Sequence, residues 1–326
     1  MDLHTAGHRR GVAAAPHHAA AEAGRAILGE GGNALEAMVA MAATIAAVYP
    51  HMNHVGGDGF FLVRERSGRV RALMAAGRAG AKARNELYRA EGYDTIPERG
   101  PLAALTVPGA VAGWMLALEA AKAQGGRLPL ATLLEAAIRH ARDGYAVTRS
   151  QARLTAEKLA ELEKAPGFAA TFLADGKPPE AGTGLRQPAL AATLDHLAKA
   201  GLEDFYRGDV GREIASDLER IGSPVTRADL EAAHAVVADP LSLTIEAGTL
   251  YNAPPPTQGV ASLLILGLFA RLRVAEAESF DHVHGLVEAT KRAFRLRDRI
   301  ITDPDRLPGP LEPFLEGKFL DGEVAR

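Results

Sequence analysis

A chain of 326 residues, 47% of them hydrophobic, has enough apolar material for a sizeable core in one large domain or two ordinary ones. Its formal net charge of -3 gives no electrostatic reason to expect nucleic acid or an anionic membrane as partner. The absence of cysteine removes disulfides, thiolate metal sites and a cysteine nucleophile together.

The first 24 residues carry basic side chains but no bulky apolar run behind them, only alanines broken by Pro16 and two histidines. That is a poor secretory leader, so with Met1 as the native start the expected location is the cytoplasm, or the periplasm if a leader has been removed. Pro16 opens a predicted helix reaching Leu28, and Gly31-Gly32 end it. Asn33 is then a natural N-cap, with Glu36 in the capping-box position. The helix behind it, Ala34–Val48, is apolar almost all round and belongs inside a domain. Its 15 residues, which include Glu36 and Thr44, fall short of the roughly 18–20 that a membrane span needs.

Gly56-Gly57-Asp58-Gly59 leads into a short strand at 60–63, and Ser67-Gly68 reads as a hairpin turn into 70–74. A Gly/Ala-rich loop with Arg78, Lys82 and Arg84 follows. From Pro108 the spacing is helical over 111–123, 130–141, 150–162 and 188–200, with shorter helices at 209–221 and 227–233. Residues 168–184, rich in Gly, Pro and Ala, read as a surface connection. A strand pair at 241–245 and 249–252 turns at Gly248, and Pro254-Pro255-Pro256 cannot extend it, because proline lacks the ladder donor. Thr257 caps a predicted apolar helix at 260–272, a long helix covers 280–301, and the proline-rich stretch after Pro304 reads as loop. No repeat and no clean boundary is visible, so residues 1–326 read as a single α/β (α+β) domain.

The glycine turn follows a helix and precedes a strand, the reverse of a phosphate loop, and meets neither G-x-G-x-x-G nor G-x-x-x-x-G-K-[ST]. Its expected role is structural. His51, His54 and Asp58 surround that turn, and Asp281, His282 and His284 form a second loose group. Neither has the fixed i, i+4 geometry of a helical metal pair, so turn hydrogen bonding is expected, with no metal and no cofactor. Lys291, Arg292, Arg295 and Arg299 lie near one helical face; Glu288 and Asp298 interrupt them, which suits a solvated or subunit-facing surface. Arg78 stands among small neighbours where its guanidinium has room to grip a carboxylate bidentately. Chemistry alone leaves its functional and structural roles both open. No G-x-S-x-G elbow or S-x-x-K motif offers a nucleophile.

Several segments in order resemble the γ-glutamyltranspeptidase family of N-terminal-nucleophile hydrolases. They are Gly31-Gly32-Asn33-Ala34-Leu35-Glu36-Ala37, Tyr49-Pro50-His51 with the glycine turn and Phe60, Arg78, Ala81-Lys82-Ala83, and Val107-Pro108-Gly109-Ala110-Val111-Ala112-Gly113. Ala141-Arg142-Asp143-Gly144-Tyr145, Asp204-Phe205-Tyr206-Arg207-Gly208, Ala253-Pro254-Pro255-Pro256-Thr257-Gln258-Gly259 and Asp303-Pro304 complete the series. The resemblance implies a precursor that cuts itself, this chain being the large subunit of a heterodimer. It places the nucleophile, a threonine whose own α-amino group is the base, at the start of the small subunit, so no catalytic residue is expected on this chain. It further implies a four-layer αββα sandwich shared between subunits, and Arg78 as the residue that binds the substrate carboxylate. A dimer of heterodimers is one assembly it allows. The turn has Asp58 where many members have a further glycine, and small residues flank Arg78. The resemblance implies a γ-glutamyl compound such as glutathione as substrate, and these departures set beside it a smaller carboxylate-bearing amide such as oxamate, or another acyl amide. An inactive binding protein of the same fold, or metal-dependent hydrolysis through His51, His54 and Asp58, are the competing readings.

Overall fold

The computed structural model describes residues 11–325; the part of the leader reading that rests on residues 1–10 lies outside them. His17 rather than Pro16 starts the first helix: its Nδ1 accepts the Ala19 amide at 3.2 Å, and α1 runs His18–Gly29. After the glycine pair, α2 (Ala34–Val48) opens with the complete capping box expected of Asn33 and Glu36. The hairpin β1 (Gly59–Arg64) and β2 (Val70–Ala75) comes next, then α3 (Asn85–Ala90), α4 (Ala110–Ala123) and α5 (Leu130–Asp143). β3 (Tyr145–Ala146), α6 (Arg149–Glu157), α7 (Leu159–Leu162), α8 (Phe168–Phe172) and β4 (Gly184–Leu185) follow. Behind them run α9 (Pro188–Ala200), α10 (Asp204–Arg207), α11 (Asp209–Arg220) and α12 (Arg227–Glu231). The last elements are β5 (Val236–Ala238), β6 (Leu241–Ile245), β7 (Gly248–Asn252), α13 (Gly259–Leu272), α14 (Phe280–Ile300) and α15 (Gly317–Val324).

These elements form two compact units, one made of the chain up to Gly59 with Gly77–Ala235, the other of Phe60–Ala76 with Val236 onward. The second unit draws on two distant stretches, so no linker composition marks it in the sequence. In the first unit α2 packs against α1, α4 and α5, as a helix without a polar face must. Gly24 sets the approach of α1, since a Cβ there would lie 2.6 Å from Met41 Sδ. Glu36, only 2% exposed, accepts the Asn33 amide at 2.8 Å through one oxygen and the Leu128 amide at 2.7 Å through the other. A buried carboxylate is tolerable when both oxygens are satisfied in this way. In the second unit β1, β2 and β5 form one sheet in that order, with β5 antiparallel to β2 and Leu73 opposite Val237. The hairpin β6–β7 packs on α13, and α13 on α14 and α15, around Leu243, Val260, Leu264, Ala293 and Leu320.

Several expectations need correction. The helix expected over 150–162 breaks at Lys158 into α6 and α7. The stretch after Pro304 is not loop throughout: two short 3-10 turns precede α15, which buries Leu320 against Gly267 of α13. Residues 168–184 include a short helix, α8. At the start of α13 the cap position falls on Gln258, while Thr257 Oγ1 accepts the Gly259 amide at 3.1 Å. Among the described residues no helix is long and apolar enough to cross a membrane.

Candidate substrate-binding face at Arg78

The backbone around Arg78 is fixed on both sides. Before it, the Gly77 amide donates to Asp58 Oδ1 at 2.9 Å. Gly77 has to be glycine, because a Cβ there would meet the Val107 carbonyl oxygen at 1.6 Å. At Arg78 itself the carbonyl accepts the Val107 amide at 2.9 Å, and Ala79 forms an antiparallel bridge with Thr106. Beyond it, the Gly80 amide donates to Leu105 O at 2.8 Å, and the Ala81 amide to both oxygens of Asp229 at 3.1 Å. Burial works against the Asp229 charge, yet hydrogen bonds from Thr226 and Ala81 hold its carboxyl below the ordinary carboxylate range. The Arg78 side chain is exposed on this frame.

The frame is tied in turn to the start of α4. Gly109 at the cap position has no side chain to offer, and α4 has no side-chain cap. Its free amides find partners far away in sequence: Gly57 O accepts from Gly109 and Ala110 at 2.8 and 2.7 Å. The Tyr206 hydroxyl accepts the Ala112 amide at 2.9 Å and donates to Pro108 O at 2.8 Å. Tyr206 is fully buried, and burial pushes its hydroxyl up to about 12. The glycine turn, the Arg78 segment, the 107–113 segment and the 204–208 segment, read separately along the sequence, therefore converge on one helix start.

The other candidates fall elsewhere. His51 Nε2 lies 3.1 Å from Ser150 Oγ, which also contacts Tyr49 Oη and Thr148 Oγ1 at 3.1 Å each. Asp58 is engaged with Gly77, so His51, His54 and Asp58 are not drawn together as ligands; nor are Asp281, His282 and His284, where His282 lies against Phe269 and His284 stacks on Phe280. Among the described residues the ligand-type side chains that do converge are His196, Asp204 and Asp209, within 4.8 Å of one another. Asp204 there accepts the Val210 amide and Asp209 pairs with Arg212, roles a helix start gives its acids without an ion. On α14, Lys291 pairs with Glu288 and Arg292 with Glu323. Sequence reading missed the Tyr206 and Asp58 contacts, because each joins residues that lie 19 or more positions apart.

The chain belongs to the gamma-glutamyltranspeptidase family, whose sequence profile matches residues 20–324. Its mixed helix-and-sheet fold is that of the family, superposing on the crystal structure of the Helicobacter pylori gamma-glutamyltranspeptidase with a TM-score of 0.90 at 26% identity, over 98% of this chain and 93% of that one. Cephalosporin acylase from Bacillus halodurans matches with a TM-score of 0.87 at 30% identity, over 94% of this chain and 57% of that one. In sequence the chain is 51% identical over 311 residues to the oxamate amidohydrolase proenzyme of Klebsiella pneumoniae subsp. pneumoniae, which covers 95% of this chain and 58% of that protein. It is 38% identical over 307 residues to the glutathione hydrolase-like YwrD proenzyme of Bacillus subtilis, over 93% of this chain and 57% of that protein. The chain thus spans about half the length of the curated relatives it matches.

Proposed function

We propose that this chain is the large subunit of a self-cleaving amidohydrolase and that Arg78 binds the carboxylate of its substrate. The observation that carries the reading is the Arg78 frame, where backbone hydrogen bonds at residues 77, 78, 80 and 81 hold an exposed arginine on a fixed base. A fixed backbone at that position removes the main-chain part of the ordering cost when Arg78 binds a ligand. The proenzyme names of the relatives, and the match to 93% of one chain of the H. pylori enzyme, support a precursor that yields two subunits.

The chemistry follows from the family resemblance. The hydroxyl oxygen of the small subunit's N-terminal threonine attacks the amide carbonyl, and the α-amino group takes the hydroxyl proton. The C–N bond breaks, the departing nitrogen receives that proton, and the acyl group rests on threonine as an ester. Water, or an amine in a transfer reaction, then releases it. Arg78 contributes position: it neutralises the substrate carboxylate and fixes the carbonyl within reach of the nucleophile. The likeness to an oxamate amidohydrolase proenzyme at 51% identity favours a small carboxylate-bearing amide such as oxamate over a γ-glutamyl peptide.

Intact-mass analysis of the expressed precursor tests the first part, with two fragments expected, the smaller beginning with threonine. A stable uncut chain would favour an inactive binding protein. For the second part, Arg78→Ala should raise KM for oxamate-type amides about 10- to 100-fold, the worth of a charge-assisted hydrogen-bonded pair, while self-cleavage continues. An unchanged KM would remove Arg78 from the site.

A further inference from the structure

The first unit contains a cleft of about 920 Å³ that shares no lining residue with the Arg78 frame. Its wall is apolar, built from Leu154, Leu162, Phe168, Phe172 and Leu190. Phe168 is buried, whereas Leu154, Leu162, Phe172 and Leu190 are only half covered by the chain. The size falls within the range of small-molecule sites, roughly 300–1,000 Å³. The polar lining includes Arg99, Lys158, His51 and His54, and no aspartate or glutamate lines the cleft.

The two permanent cations share one carboxylate that lies outside the lining. Lys158 Nζ donates to Glu161 Oε1 at 2.7 Å, and Arg99 Nε lies 3.4 Å from Glu161 Oε2. Lys158 above all, and Arg99 with it, hold the Glu161 carboxyl below its ordinary range. All three side chains are 41–47% exposed, so this pairing is weak and open to exchange. The break between α6 and α7 falls at Lys158 itself and leaves that residue facing the cleft. An apolar wall beside two cations held by a replaceable carboxylate has a definite chemical complement.

We propose that this cleft is a binding site for a monocarboxylate with a medium-length apolar body, its carboxylate displacing Glu161 from Arg99 and Lys158 while the chain or ring lies on Leu154, Leu162, Phe172 and Leu190. Charge complementarity selects an anion over a cation, and the half-covered apolar wall selects an acyl or aryl body over a bare carboxylate. Glu161 acts as a resident competitor, so the site is tuned below the affinity its cations would otherwise give.

Calorimetric titration of the assembled, processed protein with decanoate tests this, with decanamide as the uncharged isostere and acetate as the bare carboxylate. Decanoate should bind saturably at one site and more tightly than either. Glu161→Gln should tighten decanoate about threefold and leave decanamide unchanged, in keeping with the worth of an exposed ion pair. The double change Arg99→Gln with Lys158→Gln should weaken decanoate at least about fivefold. All three residues are surface groups, and unchanged thermal midpoints would show that the fold is kept. Ala170→Trp, which fills the cleft from its lining, should reduce decanoate and decanamide alike. Absence of saturable binding, as when another segment of the assembled protein fills the cleft, overturns the proposal. So does decanoate affinity that Glu161→Gln leaves unchanged or lowers.

Discussion

Replacing Tyr206 by Phe removes one oxygen from the centre of the first unit and tests the link between the α4 start and the Arg78 frame. The hydroxyl satisfies the Ala112 amide at 2.9 Å and the Pro108 carbonyl at 2.8 Å, and the ring is fully buried. α4 has no side-chain cap of its own, so the loss resembles removal of an N-cap, about 1 kcal/mol. The Pro108 carbonyl loses its donor as well, which adds about 1 kcal/mol. The sum, about 2 kcal/mol, corresponds to a fall in Tm of roughly 4–8 °C for a unit of this size. Differential scanning calorimetry of wild type and Tyr206→Phe measures it. A second readout separates a bulk stability effect from a local one. Pro108 adjoins Val107, whose amide holds the Arg78 carbonyl, so KM for carboxylate-bearing amides should rise while kcat changes little. A Tm within 1 °C of wild type, together with an unchanged KM, would refute the reasoning.

Asp58→Ala removes the acceptor of the Gly77 amide and should raise KM severalfold, whereas Asp58→Asn, which keeps a side-chain carbonyl, should restore most of it; equal effects of the two would point to charge instead of backbone placement. Tyr145 and Tyr206 are both pushed up to about 12 by burial. The folded chain therefore holds these protons where the unfolded chain, near pH 10, releases them, and stability present below pH 10 is lost as pH rises toward 12, by about 2–3 kcal/mol for each tyrosine. A thermal midpoint that stays flat between pH 9.5 and 11.5 would contradict this, and Tyr206→Phe should show a shallower fall than wild type. Glu36→Ala should cost about 2–4 kcal/mol in urea unfolding, because the Asn33 and Leu128 amides both lose a buried acceptor; a loss below 1 kcal/mol would mean that water replaces the carboxylate.

The parts of this protein that depend on near neighbours were legible in its sequence. The capping box at Asn33 and Glu36, the buried helix after it, the hairpin about Ser67-Gly68 and the strand pair about Gly248 all formed as expected. Each is decided within a turn or two of chain by side-chain period, cap chemistry or glycine conformation. The glycine turn and Arg78 were likewise visible as separate features, and the order of the motifs identified the family. What the sequence could not supply was which features meet. The second oxygen of Glu36 goes to Leu128, the Gly57 carbonyl to the start of α4, Tyr206 to Ala112 and Pro108, and Asp58 to Gly77. The helix at 317–324 escaped notice for the same reason, since tertiary burial of Leu320 rather than local propensity holds it. Hydrogen bonds and contacts between distant segments leave no periodic trace along the chain, so the family resemblance singled out Arg78 as a candidate, and only the tertiary structure fixed the frame on which it stands.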